Sequence, residues 1–493
     1  MIWNELHTEM HINIKRRRNI VSRPNILLIT TDQQRFDTIH ALGNNQIYTP
    51  HLNWLVDEGI TFERCYSDNP VCMPARATIM TGKHAYNHGL ITNTQEVRPM
   101  VPSQTLPGIL TKNGYQTRAQ GKMHFEPIRA NYGFEHMELP MEYYKSMSEN
   151  RDRGVPKGHG VGENEIEPVI STVDETKSAV YWTVNRSIDF LETRDDTRPF
   201  FLWTSFAKPH PPFDPCANYW ALYQNKKLTA PVCGDWSTDQ QSAYQGFYHP
   251  TYMLNNAYRM SEEQLLDVKR AYYACITQID YSMGLLFARM HEMDLLKNTW
   301  IIFTADHGDM MGDHRMGAKG VFLEGSAHIP MIVRPPLTEQ GSKGRRCSKL
   351  VTLADVMPTI LAAADIQIPD GTDGLDMMEI ESESGKDRTF YGNFSNNYFA
   401  VMEDGYKYMW TAFGGEELLF YMPDDPMEQR NLANIEKNIA KRMKRMLTEQ
   451  VAGYNADLVQ NGELVIKECI EGPQDINKWP GFHSITAVCD VLH

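Results

Sequence analysis

The chain has no apolar run long enough to cross a membrane. Its longest candidates, such as Leu353 to Ile366, are interrupted by Asp355 and Pro358 and stop short of the ~18 apolar residues a spanning helix needs. No secretory leader is expected either, because Arg16-Arg17-Arg18 run into Asn19-Ile20-Val21-Ser22-Arg23-Pro24 instead of an apolar stretch. The expected location is therefore cytoplasmic, with the periplasm left open. Positive charge is scarce: 48 Lys+Arg face 62 Asp+Glu, a formal charge of -14. That balance argues against a nucleic-acid partner, whose phosphates are held by accumulated positive charge. The one dense basic run, Lys15 to Arg18, reads as part of a polar, solvated N-terminal tail over residues 1–24. None of the eight cysteines stands in C-x-x-C spacing, which removes zinc ribbons and dithiol redox motifs. No internal repeat or low-complexity tract is present.

What remains is a chain of ordinary globular composition, 42% hydrophobic and 22% charged over 493 residues, long enough for one large domain with an appendage. Short β-rich runs stand out at Ile26–Thr31, Phe200–Phe206, Trp300–Thr304 and Ile329–Val333. Helical stretches lie between them. Ser261-Glu262-Glu263-Gln264 is a capping box, and apolar residues from Leu265 to Met283 then recur at helical spacing towards His291. A second helix is predicted from about Val173 to Thr193. Alternating strands and helices imply an α/β fold, a large mixed, mostly parallel sheet sandwiched by helices. From Arg388 the texture changes to four short strands between Thr389 and Tyr421, then a helix from about Asn434 to Val451. The expected division is a catalytic domain over 25–385 and a C-terminal subdomain over 386–493, a small antiparallel sheet with a helix.

Two distant segments echo one another: Asn25 to Asp32-Gln33, and Trp300 to Asp306-His307-Gly308. Each is an apolar strand ending in a carboxylate beside a second polar group. If the two strands are parallel neighbours their ends converge, and ligands in such sheets bind beyond the carboxyl ends of the strands. Oxygen donors plus one imidazole suit Ca²⁺ or Mg²⁺ better than zinc. Taken singly, an Asp after a strand is more often a turn or helix cap. A zinc cluster built from the run Asp306-His307-Gly308-Asp309 with Asp313-His314 is the weaker reading, since Asp309 and His314 follow a glycine and are expected in an exposed loop.

The most informative stretch is Asn69 to Gly82. Pro74 suits the first turn of a helix, which would set Cys72 just ahead of a helix end that attracts anions, with Arg76 one turn in. A lone cysteine is otherwise most often a small buried hydrophobe.

Cys72-x-Pro74-x-Arg76, followed by Thr81-Gly82, resembles the signature of the type I sulfatases, members of the alkaline-phosphatase superfamily, in which a maturation enzyme oxidises that cysteine to formylglycine (3-oxoalanine). Further landmarks of the family follow in order: Asp32-Gln33, Gly121-Lys122-Met123-His124, Pro209-His210-Pro211, Asp306-His307-Gly308, Gly317-Ala318-Lys319-Gly320, and a closing stretch from Leu419 to Pro426 and Asn431-Leu432. The resemblance covers the chain from about Asn25 to beyond Leu432. It implies a calcium-dependent sulfuric ester hydrolase in which Asp32, Gln33, Asp306, His307 and residue 72 hold the ion. It also implies that hydrated formylglycine at position 72 attacks sulfur, Arg76 and Lys122 steady the hydrate, and His124 takes the proton that triggers release of sulfate. His210 is then the general acid for the leaving alcohol, Lys319 clamps a sulfate oxygen, and Lys208 contacts substrate.

This chain departs from the best-known members at Gln33 and His307, where many have a second Asp and an Asn. That set resembles bacterial glycan sulfatases acting on uronates, and also formylglycine-bearing phosphonate monoester and phosphodiester hydrolases. The runs Ala207–Phe213 and Gly121–Phe125 favour the glycan sulfatases, so the expected substrate is a small sulfated sugar. A third reading, a non-catalytic binder of sulfated glycans, applies if Cys72 stays a thiol. Arg35, Asn87, His88 and His314 are further polar candidates, each expected to serve local hydrogen bonding.

Overall fold

Asn25–Asp32 (β1) is buried from its second residue to its last, as a strand covered on both faces must be. The computed structural model describes residues 23–93, 100–149, 156–237, 246–247, 257, 260–337, 343–382 and 387–468. The Lys15–Arg18 run, the 385/386 boundary, Cys469, Cys489 and parts of the loops 87–95, 143–162 and 235–253 lie outside the described residues.

Among the described residues, β1 is the middle of a nine-stranded sheet with Ile60–Tyr66 (β2), Gln116–Gly121 (β3), His136–Glu138 (β4), Phe200–Pro209 (β5), Thr299–Ala305 (β6), His328–Ile329 (β7), Met331–Arg334 (β8) and Arg345–Thr352 (β9). The order is β4-β3-β5-β1-β6-β8-β2-β7, with β9 on β2. From β4 through β6 the neighbours are parallel. β8 runs antiparallel to both β6 and β2, which makes the sheet mixed. The expected single strand Ile329–Val333 is two short strands on either side of Pro330, which has no N–H to offer a ladder.

Residues of β1 alternate between two cores. Ile26 and Leu28 pack with Phe201, Trp203, Ile302 and Met357, while Leu27 and Ile29 pack with Val184, Leu202, Met283 and Phe303. Helices Cys72–Thr81, Leu106–Lys112 and Val356–Ala363 supply the first layer; Pro50–Glu58, Ala179–Thr193 and Glu262–Glu292 supply the second. The capping box at Ser261 and Gln264 forms as its spacing requires. The helix expected from Val173 starts instead at Ala179, where the Ser178 hydroxyl accepts from Tyr181 N–H. No helix among the described residues is long and apolar enough to cross a membrane.

The C-terminal meander comprises Phe390–Phe394 (β10), Tyr398–Glu403 (β11), Tyr406–Thr411 (β12) and Glu417–Tyr421 (β13), each antiparallel to the next. Helix Lys437–Tyr454 covers one face through Met443, Leu447 and Val451, and the other face packs on Tyr66, Trp236 and Phe322 of the larger unit. At that junction Lys407 is fully buried, its Nζ 2.7 Å from Glu324 Oε1 and 2.7 Å from Glu428 Oε1. Glu324 also accepts from the Tyr66 hydroxyl at 2.9 Å and pairs with His328 Nδ1 at 2.5 Å. Lys407→Met would leave two buried carboxylates without their shared cation. Urea unfolding followed by tryptophan fluorescence is expected to show a loss of about 3–5 kcal/mol; a loss below about 1 kcal/mol would mean that the cluster does not hold the two units together.

Candidate active site

Because β1 and β6 are parallel and in register up to Thr31 and Ala305, Asp32 and Asp306 emerge side by side at the same sheet edge. β5 pairs with β1 as far as Pro209 opposite Asp32, and β3 pairs with β5 as far as Gly121 opposite Ser205. Four strand ends therefore deliver Asp32-Gln33, Asp306-His307, His210 and Lys122 to one place, a topology that collects ligands at strand termini.

Helix Cys72–Thr81 meets this edge with its N-terminus. Cys72 is its first residue and Val71 its extended N-cap, so the cysteine lies within the helix and not ahead of it. Pro74 falls in the first turn, where a missing N–H costs no helical bond. Asp32, Cys72, Asp306 and His307 each present one donor atom within 4.8 Å of one another, and all four are buried. Cys72 Sγ is 3.2 Å from His307 Nε2 and 3.8 Å from Asp32 Oδ1. His307 Nδ1 sits 2.9 Å from the Gly308 carbonyl; donating there leaves Nε2 to face the cluster.

The charges are compensated by Arg76, whose Nη2 lies 3.1 Å from Asp32 Oδ2 and 3.0 Å from Asp306 Oδ2, and by Lys122 Nζ, 2.8 Å from Asp32 Oδ2. Burial opposes ionisation of Asp32, yet Lys122, His210, Arg76 and His307 hold its carboxyl well below the usual range. Burial and the Asp32 charge push Asp306 up. Burial and Asp32 also resist a thiolate at Cys72, but Lys319, Lys122 and His307 prevail and hold the thiol well below its ordinary value. Against burial, Asp306 and Cys72 raise His307, and Asp32 and Cys72 raise Lys122.

Gln33 adopts a left-handed φ of 71° directly after β1, a conformation that costs a non-glycine residue free energy unless its surroundings enforce it. Its N–H donates to Asp306 Oδ1 at 3.0 Å, and its carbonyl accepts from the Tyr272 hydroxyl at 2.7 Å. Its side-chain oxygen accepts from Lys319 Nζ at 2.6 Å while its amide nitrogen donates to Asp309. Gln33 thus joins Asp309 to Lys319, and its amide oxygen is engaged by the lysine. His124 also has a left-handed φ, 52°, and its buried Nδ1 has no hydrogen-bond partner.

His210 is buried, with Nδ1 2.9 Å from the Pro211 carbonyl; burial first, then Lys319 and Lys122, press its pKa well below that of a free imidazole. Lys208 differs from expectation. Its Nζ is held by Asp214 and by the Pro212 and His210 carbonyls, which makes it a clamp on the loop carrying His210. The residues of the zinc alternative are buried rather than exposed, because they have partners to satisfy. Asp309 binds Gln33 and the Met311 and Ala318 N–H groups. Asp313 pairs with Arg35 at 2.8 Å, and His314 stacks on Trp236. Asn87 donates to Asp373, and His88 pairs with Thr78.

Two partners escaped the sequence reading, Ser205 and Tyr272, and Asp309 is named there only for a zinc cluster and not as the acceptor that orients Gln33. Ser205 Oγ accepts from Arg76 Nη1 at 2.9 Å and donates to the Lys122 carbonyl at 2.5 Å. Its only signal in sequence is a hydroxyl near the end of an apolar strand.

The sulfatase family model matches residues 24–366, and the model for the C-terminal region of N-sulphoglucosamine sulphohydrolase matches residues 312–454. An arylsulfatase of Clostridium perfringens is 32% identical over 90% of this chain and 97% of its own length. A choline-sulfatase of Rhizobium meliloti is 28% identical over 83% of this chain and 82% of its own. The fold is shared with the phosphonate monoester hydrolase of Agrobacterium radiobacter, with a TM-score of 0.74 at 23% identity over 88% of this chain and 96% of that one. It is also shared with a protein solved in complex with its substrate D-glucosamine-2-N,6-O-disulfate, with a TM-score of 0.69 at 21% identity over 88% and 99%. With an ordered set of motifs gathered at one sheet edge and a family match over most of its length, this chain belongs to the sulfatases, enzymes that hydrolyse sulfate esters.

Proposed function

We propose that this sulfatase releases sulfate from a sulfated sugar, with Cys72 matured to formylglycine by a dedicated maturation enzyme and with Ca²⁺ held by Asp32, Asp306, His307 and residue 72. The observation that carries the reading is the buried convergence of those four side chains within 4.8 Å. With sulfur at position 72 the donor set is mixed, two oxygens, a nitrogen and a sulfur; an oxygen there makes it harder and suits Ca²⁺ or Mg²⁺ over zinc. The ion would supply Lewis-acid stabilisation of the sulfate oxygens. A hydrated aldehyde would supply one hydroxyl to attack sulfur and a second whose deprotonation expels the sulfate, so that no separate water need attack a stable ester.

The protein's own groups divide the remaining work. Arg76, oriented by Ser205, and Lys122 neutralise the buried carboxylates and would steady the hydrate. Lys319, set by Gln33, would bind a sulfate oxygen, and His124, with its unpaired Nδ1, would accept the proton that triggers release. His210 would protonate the leaving alcohol through Nε2, since Nδ1 faces the Pro211 carbonyl. The low pKa of its resting imidazole makes the protonated form a strong acid, and the negative charge of a bound sulfate ester offsets the two lysines that depress it. The roles first assigned to Gln33, in metal binding, and to Lys208, in substrate contact, become positioning roles for Lys319 and His210.

A phosphonate monoester or phosphodiester hydrolase built on the same constellation is the second reading, favoured by the fold shared with the Agrobacterium enzyme. Side-by-side kcat/KM values for a sulfate monoester and a phosphonate monoester, each with and without chelator, are expected to favour the sulfate and to collapse on chelation until Ca²⁺ is restored. A large preference for the phosphonate would sink the sulfatase-specific assignment of this pocket. Mass analysis of the peptide across Cys72 is expected to show a loss of about 18 Da relative to the thiol. An unmodified peptide in fully active protein would remove residue 72 as an aldehyde nucleophile; in inert protein it would support a non-catalytic glycan binder. His210→Ala should depress turnover of a sugar sulfate by about 10²–10⁴-fold, yet slow an activated aryl sulfate far less, because a good leaving group needs no proton. Equal losses on both substrates would assign His210 a role other than general acid.

A further inference from the structure

Beside the catalytic centre, towards the C-terminal sheet, the described residues enclose a cavity of about 390 Å³ whose lining includes Tyr86, His88, Asn393, Asn396, Tyr454 and Asn455. That volume is typical of a site for a small molecule. Its position relative to residue 72 is fixed by Asn69, three residues upstream. The Asn69 amide nitrogen donates to the Ile91 carbonyl at 2.9 Å and to the Asn393 carbonyl at 2.8 Å, and both acceptors belong to the cavity wall. A smaller cavity bordered by His124 and Met73 shares His88 and Leu90 with the larger one. The two spaces are therefore separated by no more than the width of these shared side chains, and the smaller one touches the groups assigned to sulfate release.

Among the described residues the lining contains no Asp, Glu, Lys or Arg. An anionic ring placed there would be desolvated without a counter-charge, which sets this space apart from the cationic catalytic centre. Its polar groups are nevertheless free to bind. The Tyr454 hydroxyl is buried without a partner. Among the described residues no hydrogen bond uses the amide nitrogens of Asn396 and Asn455, although their oxygens accept from Asn393 and from Asp457 N–H. Tyr86 is held between His84 and Tyr454 with ring centroids 5.3 Å apart on either side, giving one wall a rigid aromatic stack. Burial brings His88 down to about 4, in keeping with a neutral lining. A purely apolar ligand would leave three donors unmatched, whereas a hydroxyl-rich uncharged ring offers each an acceptor.

We infer that this cavity binds an uncharged sugar ring next to the sulfated one, so that the preferred substrate is a sulfated oligosaccharide and not a lone sulfated monosaccharide. The inference rests on the sugar-sulfatase reading above. The test compares kcat/KM for a sulfated monosaccharide with that for the same unit joined to a neutral hexose at either end, using an aryl sulfate as reference. The extended substrate is expected to be better by about tenfold, through KM and not kcat. Tyr454→Phe, which removes a hydroxyl that no protein group uses, should cut the preference roughly three- to tenfold. Asn455→Trp, which fills the cavity, should abolish it while leaving turnover of the aryl sulfate unchanged. Equal kcat/KM for short and extended substrates, or a preference that survives Asn455→Trp, would overturn the subsite while leaving a sugar sulfatase in place. An extension that is preferred only when acidic would overturn its uncharged character. Turnover of the aryl sulfate with none of either sugar would take down the sugar reading and the subsite together.

Discussion

Two carboxylates from adjacent parallel strands share one buried arginine, and the rest of the site depends on that arrangement. Asp32 and Asp306 are both fully enclosed, and an isolated pair of buried like charges would be prohibitively costly. Arg76 spans them from the facing helix, and Ser205 holds the guanidinium in turn. The arginine can reach both acids only because helix Cys72–Thr81 approaches the sheet edge N-terminus first. The same approach places Cys72 one helical turn before Arg76, against His307. Position of the nucleophile and neutralisation of the acids are thus one geometric requirement, met by residues four apart on a helix.

Asp309 plays the complementary part on the far side of the cluster. Its carboxylate can only accept, so Gln33 must turn its amide nitrogen towards it and its oxygen towards Lys319. An otherwise flexible lysine is thereby set in one direction before substrate arrives, which removes part of the entropy cost of binding. The unfavourable backbone of Gln33 is the cost of this arrangement, offset by the hydrogen bonds that Asp306 and Tyr272 make to its own peptide groups.

Much of this was legible in sequence where chemistry is carried by residues adjacent along the chain. The paired strand-end acids, the Cys72-Pro74-Arg76 run and the capping box at Ser261 each announce their structure locally, and the core strands are long enough in apolar residues to declare themselves. What the sequence hid was direction. Lys208 and Lys319 look alike as lysines beside proline- or glycine-rich turns, yet one is turned to Asp214 and the other to Gln33, an outcome decided by carboxylates and amides placed by tertiary contacts. Asp309, Asp313 and His314 read as an exposed loop because they follow Gly308. They are buried because Arg35, Trp236 and Gln33 come from distant segments to meet them. β8 runs against its neighbours, and no periodicity in Met331–Arg334 distinguishes that from a parallel strand.

The C-terminal meander is more than a cover for the larger sheet. Asp68, four residues before Cys72, accepts from the Ala85 N–H at 2.6 Å through its carboxylate, and its carbonyl accepts from Asn393 N–H at 3.0 Å. The Asn69 amide adds a further bond to the Asn393 carbonyl, and a second to the Ile91 carbonyl. The segment that leads into the nucleophile is therefore anchored on β10, while Lys407 from β12 meets Glu324 on the segment leading into β7. Both attachments meet the end of β2, since Asp68 follows Tyr66 by two residues and the Tyr66 hydroxyl donates to Glu324, so a shift of the meander would move the entry to helix Cys72–Thr81 relative to the strand ends that carry Asp32 and Asp306. The nucleophile helix is thus held by both units at once, and the geometry of one buried arginine between two acids requires that they move as a single body.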